Sequence, residues 1–327
     1  MKKIKILLFA LLTGIGFSLN AQQIEKSSID SGGASASAGG IEILYTIGEV
    51  AVQEVSTPTL SISEGFINSS FKVKVDPIMY LQGPILNPDN PSLMNDDLRV
   101  ADLIPTTSPY EDNATCNASV FSITGDDAIV DWVWVELRAS NDNTKLINGK
   151  SALLQRDGDV VATDGTSTLT MNAPPKDHYV VVKHRNHLGA MSNLSITLSE
   201  STTTVVDFTD SAFNTFGNNA QVVLDSGDTA LWTGDANASN TIIFSGANND
   251  ANAIKDYILG DPSNFLNLIT FSSTGYLLED VNLDGIARFS GPFNDSNLIK
   301  DNILDHPGNF LNIPTYTIST TVPPINN

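Results

Sequence analysis

In 327 residues, 37 acidic side chains face 17 basic ones, a formal charge of −20 that makes nucleic acid and anionic membranes poor partners and suits cation binding. A single cysteine, Cys116, excludes an internal disulfide, so stability must come from packing and bound ions. The length left after a leader is removed suggests two or three domains.

The chain opens with Lys2, Lys3 and Lys5, an apolar run over 6–17, and Leu19-Asn20-Ala21 as a cleavage site. That order reads as a secretory signal over 1–21, with an apolar run too short for a membrane anchor. No second hydrophobic span follows, so no membrane span is expected after the signal is removed. Residues 31–40 are Ser/Gly/Ala-rich; then Ile41, Ile43, Tyr45 and Ile47 alternate with more polar neighbours, and Leu60, Ile62 and Phe66 follow a turn at Thr57-Pro58. This predicts a small antiparallel β unit over 22–75.

From 76 to 112 the sequence is rich in Pro, Asn and Asp, with a strand and turn expected over 80–84 and a loop or brief helix over 93–99. Strands dominate afterwards. The run 129–137 carries Trp132 and Trp134 on one face and reads as a covered central strand, followed by strands over 152–155, 168–171, 179–183, 194–198 and 204–208. Short strands separated by polar turns predict an Ig-like β-sandwich over 76–228. Trp132, Trp134, Trp232 and Tyr110 read as core, with a sugar-stacking platform as the alternative.

His184-Arg185-Asn186-His187 invites a metal reading. Residues three apart on one strand face opposite sides, however, so the two imidazoles are expected to diverge, and to converge only if the strand ends near Asn186. Arg185 or Lys183 is expected to pair with Asp157, Asp159 or Glu136 instead. No GxSxG, HExxH, Cys–His pairing or Gly-rich phosphate loop is present, so no enzyme and no catalytic residue is expected.

The most informative stretch is written twice. Residues 235–267 overlay 280–312 without a gap at an offset of 45, with 18 of 33 positions identical. In the second copy Asp280, Asn282 and Asp284 place oxygens at alternate positions, and Gly285 allows a sharp bend at the sixth. The carbonyl of Ile286 supplies a seventh-position ligand. The twelfth position, which closes such a loop with an acid, is Gly291; closure is therefore assigned to Asp295 across a short insertion, where it would also cap the following helix. The first copy offers Asp235, Asn237, Ser239, the carbonyl of Thr241 and Asp250, with Asn240 in place of the glycine. The bland alternative is a pair of Asp/Asn turns capping two short helices. The expected cofactor is Ca²⁺, two ions, in EF-hand-like loops.

These loop–helix units resemble dockerin repeats, although the inserted loop departs from dockerins proper. Gly234-Asp235-Ala236-Asn237, Phe244-Ser245-Gly246 and Asn249-Asp250 resemble more closely the tail of hemagglutinin-like secreted surface proteins of Gram-negative bacteria. The stretches 128–138, 152–160 and 179–189 resemble motifs of the same family. The resemblance runs from about Tyr80 to Asn312 and implies export and a surface role, not a reaction.

The expectation is a mainly β chain: signal 1–21, a small β unit 22–75, a β-sandwich 76–228, tandem dockerin-like calcium-binding repeats 229–313 and a polar tail 314–327. The functional reading is an exported, non-catalytic calcium-binding module for adhesion or assembly, secreted or at the outer cell surface, with a cell-surface glycan or protein as partner. The alternative is a glycan-binding accessory protein in polysaccharide use. Oligomeric state is left open.

Overall fold

The computed structural model describes residues 71–326 and, before them, the backbone of four strands. The signal over 1–21 lies outside the described residues. Two compact units divide the chain, Met1–Ser69 and Ser70–Asn327. In the first, β1 (Gly33–Ala38) pairs antiparallel with β2 (Ile41–Thr46), and β3 (Gln53–Thr57) with β4 (Leu60–Glu64).

The second unit starts with β5 (Val73–Ile78), a helical turn α1 (Gln82–Ile85) and a short helix α2 (Asp97–Val100). The strand expected over 80–84 is reduced to a single parallel bridge between Leu81 and Leu231. Pro84 sits in the first helical turn, where its missing N–H costs nothing. There follow β6 (Ile129–Ala139), β7 (Asp142–Gln155), β8 (Val160–Val161), β9 (Leu169–Met171), β10 (Asp177–His184), β11 (His187–Met191), β12 (Ile196–Thr197) and β13 (Thr204–Asp207).

One sheet runs β11-β10-β6-β7-β8, with β12 also on β10; a second runs β13-β5-β9. Every residue of β6 is buried, as its central place requires. Val75, Leu169 and Val206 of the smaller sheet share one apolar core with Val133, Leu153 and Val182 of the larger. The tryptophans are core: Trp132 is fully buried with Nε1 donating to the Pro105 carbonyl at 2.8 Å, and Trp232 donates to Asn219 O at 3.0 Å. Trp134 Nε1 donates to Glu136 at 3.1 Å, and Glu136 also holds Arg138 and Lys183. Of the ion pairs expected from the sequence, Lys183–Glu136 forms, whereas Arg185 turns to Asp131.

Strands β14 (Gln221–Val223) and β15 (Thr229–Leu231) form a hairpin leading into the repeats. Each copy then builds a three-residue strand and an eleven-residue helix: β16 (Thr241–Ile243) and α3 (Asp250–Gly260), then, after β17 (Ser272–Thr274), β18 (Ile286–Arg288) and α4 (Asp295–Asp305), closed by β19 (Thr317–Ser319). The duplication therefore reaches Ser319, since β17 and β19 also stand 45 apart.

Pairing crosses between the copies. β16 pairs with β19, and β18 with β17, so each loop strand takes its partner from the end of the other copy. Ile254 and Ile258 of α3 meet Ile299 and Ile303 of α4 in a core that also takes in Leu188 and Trp232. Neither copy buries its apolar face alone.

Candidate calcium loops

The two loops share one backbone. Ala238 and Leu283 are left-handed at φ 55° and 61°, and so are Asn240 and Gly285 at 61° and 84°. Asn at the first loop's bend is the residue that best replaces glycine there. At Gly285 a Cβ would come within 2.9 Å of Leu103 Cδ1, so the glycine also allows close packing.

In the second loop, Asp280 accepts the N–H groups of Asp284 and Gly285, at 3.2 and 2.8 Å, and Asn282 Oδ1 that of Asp284 at 3.0 Å. Asp284 Oδ1 accepts the Ile286 N–H at 2.9 Å. Asp295 reaches back from α4 to accept from Val281 at 2.9 Å and Arg288 at 2.7 Å. In the first loop, Asp235 accepts from Ser239 and Asn240, each at 2.8 Å, and Asn237 Oδ1 from Ser239 at 3.0 Å. Ser239 and Thr241 are linked through their hydroxyls, and Asp250 Oδ2 accepts from Ile243 at 2.8 Å.

Helix capping falls to other residues than expected. Asn249 and Asn294 are the N-caps, accepting from Asn252 at 2.7 Å and Asn297 at 2.8 Å. Asp250 and Asp295 are the first helical residues, and their carboxylates turn into the loops. An amide suffices for a cap, which leaves the acids available.

Burial makes these carboxylates hard to ionise. It pushes Asp280 and Asp250 up to about 7, with Asp284 adding repulsion to the first and Asp235 to the second. Asp295 stands well above the carboxylate range because it is buried and then because Asp280 and Asp284 face it. Asp235 is raised by burial, against the N–H groups that it accepts. Asp250 Oδ1, fully enclosed, makes no well-aligned hydrogen bond, although the Ala236 and Asn237 N–H groups lie near enough to favour its charged form.

Among the described residues, no group of three or more His, Cys, Asp or Glu side chains is placed to hold a metal ion unaided. Asn282 and the Ile286 carbonyl would complete the oxygen set of the second loop, and Asn237, Ser239 and the Thr241 carbonyl that of the first. An all-oxygen set of this kind suits a hard divalent ion. Arg288 is a residue that sequence reasoning missed: its guanidinium pairs with Asp284 at 2.5 Å and lies 3.4 Å from the Ile286 carbonyl, touching two of the expected ligands. The first loop has Ile243 at that position and so no such competing cation.

Between the loops lies the turn that joins β10 to β11. Asn186 O accepts the N–H groups of Gly234 and Asp235, each at 3.1 Å, while its Nδ2 donates to Leu278 O at 3.1 Å and Asp280 O at 2.7 Å. Arg185 donates to Leu277 O and to Asp131 Oδ2, and lies over the Tyr276 ring at 4.2 Å.

The same turn overturns the expected divergence of the histidines. His184 and His187 face each other across the hairpin as a register pair, with Nδ1 atoms 3.0 Å apart. The strand ends at His184, so the alternation rule does not apply across the turn. His187 Nε2 accepts the Gly83 N–H at 3.3 Å, so its Nδ1–H is shared between His184 Nδ1 and Asn186 Oδ1; His184 Nε2–H then serves Asp131 at 3.0 Å. Both rings are occupied in holding the turn.

No protein-family model, no curated protein and no solved structure matches the chain.

Proposed function

We propose that this chain is an exported, non-catalytic module whose tandem loops bind two calcium ions. In this reading residues 76–228 form an Ig-like β-sandwich and 229–313 a dockerin-like domain, akin to hemagglutinin-like surface proteins. The module serves adhesion or assembly, secreted or at the outer cell surface. The observation that carries the reading is a buried, mutually repelling pair of carboxylates at matching positions of the two loops, Asp235 with Asp250 and Asp280 with Asp295. A divalent ion converts that repulsion into order.

Extracellular loops of this class bind with a Kd of roughly 0.1–1 mM, so calcium saturates them only where it is plentiful. The test is thermal unfolding with calcium and with a chelator, beside a calcium titration by calorimetry. A rise in Tm with calcium and two bound ions are expected; the same Tm in both buffers and no heat of binding would sink the reading. A second reading, a glycan-binding accessory protein, is favoured by one feature: an exposed aromatic ring at the lip of a polar groove beside the second loop.

A further inference from the structure

We propose that this groove binds a neutral oligosaccharide, with Phe293 stacking on the face of a sugar ring. The proposal deepens the glycan reading and rests on it. Phe293 is 82 % exposed and left-handed at φ 53°. A bulky side chain in that region costs roughly 1–2 kcal/mol, and exposing the ring adds nothing back. The corresponding residue of the first copy, Asn248, has the same φ of 53° and tolerates it through a short polar side chain. The backbone thus admits a cheaper residue, and neither the turn nor the core accounts for the phenylalanine.

The groove has a volume of about 1010 Å³ and runs between the segment around α1 and α2, the β14 hairpin and α4. Asn219, Gln221 and Asn297 are among the amides that line it, Asp225 and Asp301 are two of its six aspartates, and Leu298 adds an apolar strip. Among the described residues no Lys, Arg or His lines it, which disfavours an anionic ligand. An amide sets a donor beside an acceptor, matching neighbouring sugar hydroxyls, while a carboxylate accepts from them. A ring open on one face covers the C–H face of a pyranose. A lysine-rich peptide would use only the carboxylates, leaving the amides and the strained ring without a purpose.

The test is calorimetry in calcium-containing buffer with cello-, xylo- and manno-hexaose, and with hexalysine, at low and high salt. The wild type is expected to bind at least one neutral hexasaccharide with little salt dependence. Phe293→Asn, which restores the residue of the other copy, is expected to weaken that binding by about tenfold or more while Tm stays level or rises; Asn297→Ala weakens it less. Neutral binding that Phe293→Asn leaves unchanged overturns the site but not the glycan reading. No neutral binding at all, or only hexalysine binding that salt abolishes, overturns both.

Discussion

The side-chain amide of Asn186 donates to the backbone carbonyl of Asp280 at 2.7 Å, from a turn whose own carbonyl accepts the N–H of Asp235 at 3.1 Å. One turn of the β-sheet therefore holds the first position of both proposed calcium loops, by its side chain on one side and its backbone on the other. Asn186→Ala removes only the side-chain half and strands the Leu278 and Asp280 carbonyls, at about 1–3 kcal/mol for each buried group left unpaired. Calcium affinity of the second loop should drop by about tenfold or more, with the first loop changed far less. Site-resolved titration by NMR checks this; an equal fall at both loops would refute the division of labour.

Asp250 and Asp280 make the apo repeat respond to pH in a direction opposite to ordinary acid denaturation. Each binds its proton more tightly folded than unfolded, its value moving from 3.8 up to about 7. Their contribution to stability is therefore fully present below the unfolded value and is lost as pH rises through the folded one. With a chelator present, urea midpoints should fall between about pH 6.5 and pH 8, above the range in which buried His184 and His187 act in the opposite direction. If the ionised carboxylates bind calcium as proposed, that fall should disappear with saturating calcium. Asp250→Asn should raise the apo midpoint at about pH 8 and remove one calcium from the stoichiometry. A chelated protein whose midpoint does not depend on pH would contradict the argument.

Much of the repeat was legible because local rules set it: the offset of 45, the helical spacing of Ile254 and Ile258, and the alternate oxygens after Asp280. The central strand β6 announced itself through its apolar run. What escaped depends on chain distant in sequence. The first part of β7, with Lys145, Asn148 and Lys150, is only partly buried and shows no apolar alternation. The crossed pairing of β16 with β19 rests on three residues a side, too few for a pattern. The meeting of His184 and His187 turned on where a strand stopped, and Arg185-Asn186 lacks the glycine that marks a tight hairpin. Arg288 carried a legible signal, a basic residue at the ninth loop position.

Gly83 tests how the repeat is seated on the sheet. A Cβ there would lie 2.5 Å from the Val281 carbonyl oxygen and 3.0 Å from Asn282 Cα, both backbone atoms with no rotamer to yield. Beside it, Gln82 donates to Asn302 Oδ1 at 2.7 Å and accepts the Thr233 N–H at 3.0 Å, so α1 cannot simply back away. Gly83→Ala should cost about 1–3 kcal/mol, as overpacking does in a close-packed interior, and should weaken the second calcium loop along with the fold. Chemical denaturation and calcium titration measure the two effects. Loss of stability with calcium affinity intact would show that the loop holds its shape without this seat.

The buried pair His184 and His187 should make the protein lose stability as acid protonates them on unfolding. Burial lowers both from the ordinary 6.5, His187 well below it, with His184 and Arg185 adding repulsion to His187; Asp131 and, less strongly, Asn186 pull His184 back up. A base whose folded value is depressed gives stability that is complete above the unfolded value and is lost as pH falls below it. As pH falls below about 6.5, unfolding should therefore take up protons on this pair, His187 contributing most. His187→Gln keeps an acceptor for the Gly83 N–H and removes one titration, so the slope of unfolding free energy against pH should fall by about one proton. Measuring both proteins with chelator present cancels the opposite contribution of Asp250 and Asp280, which the variant leaves in place. Identical slopes would mean that His187 is already protonated in the folded state, against the hydrogen bond that it accepts from Gly83.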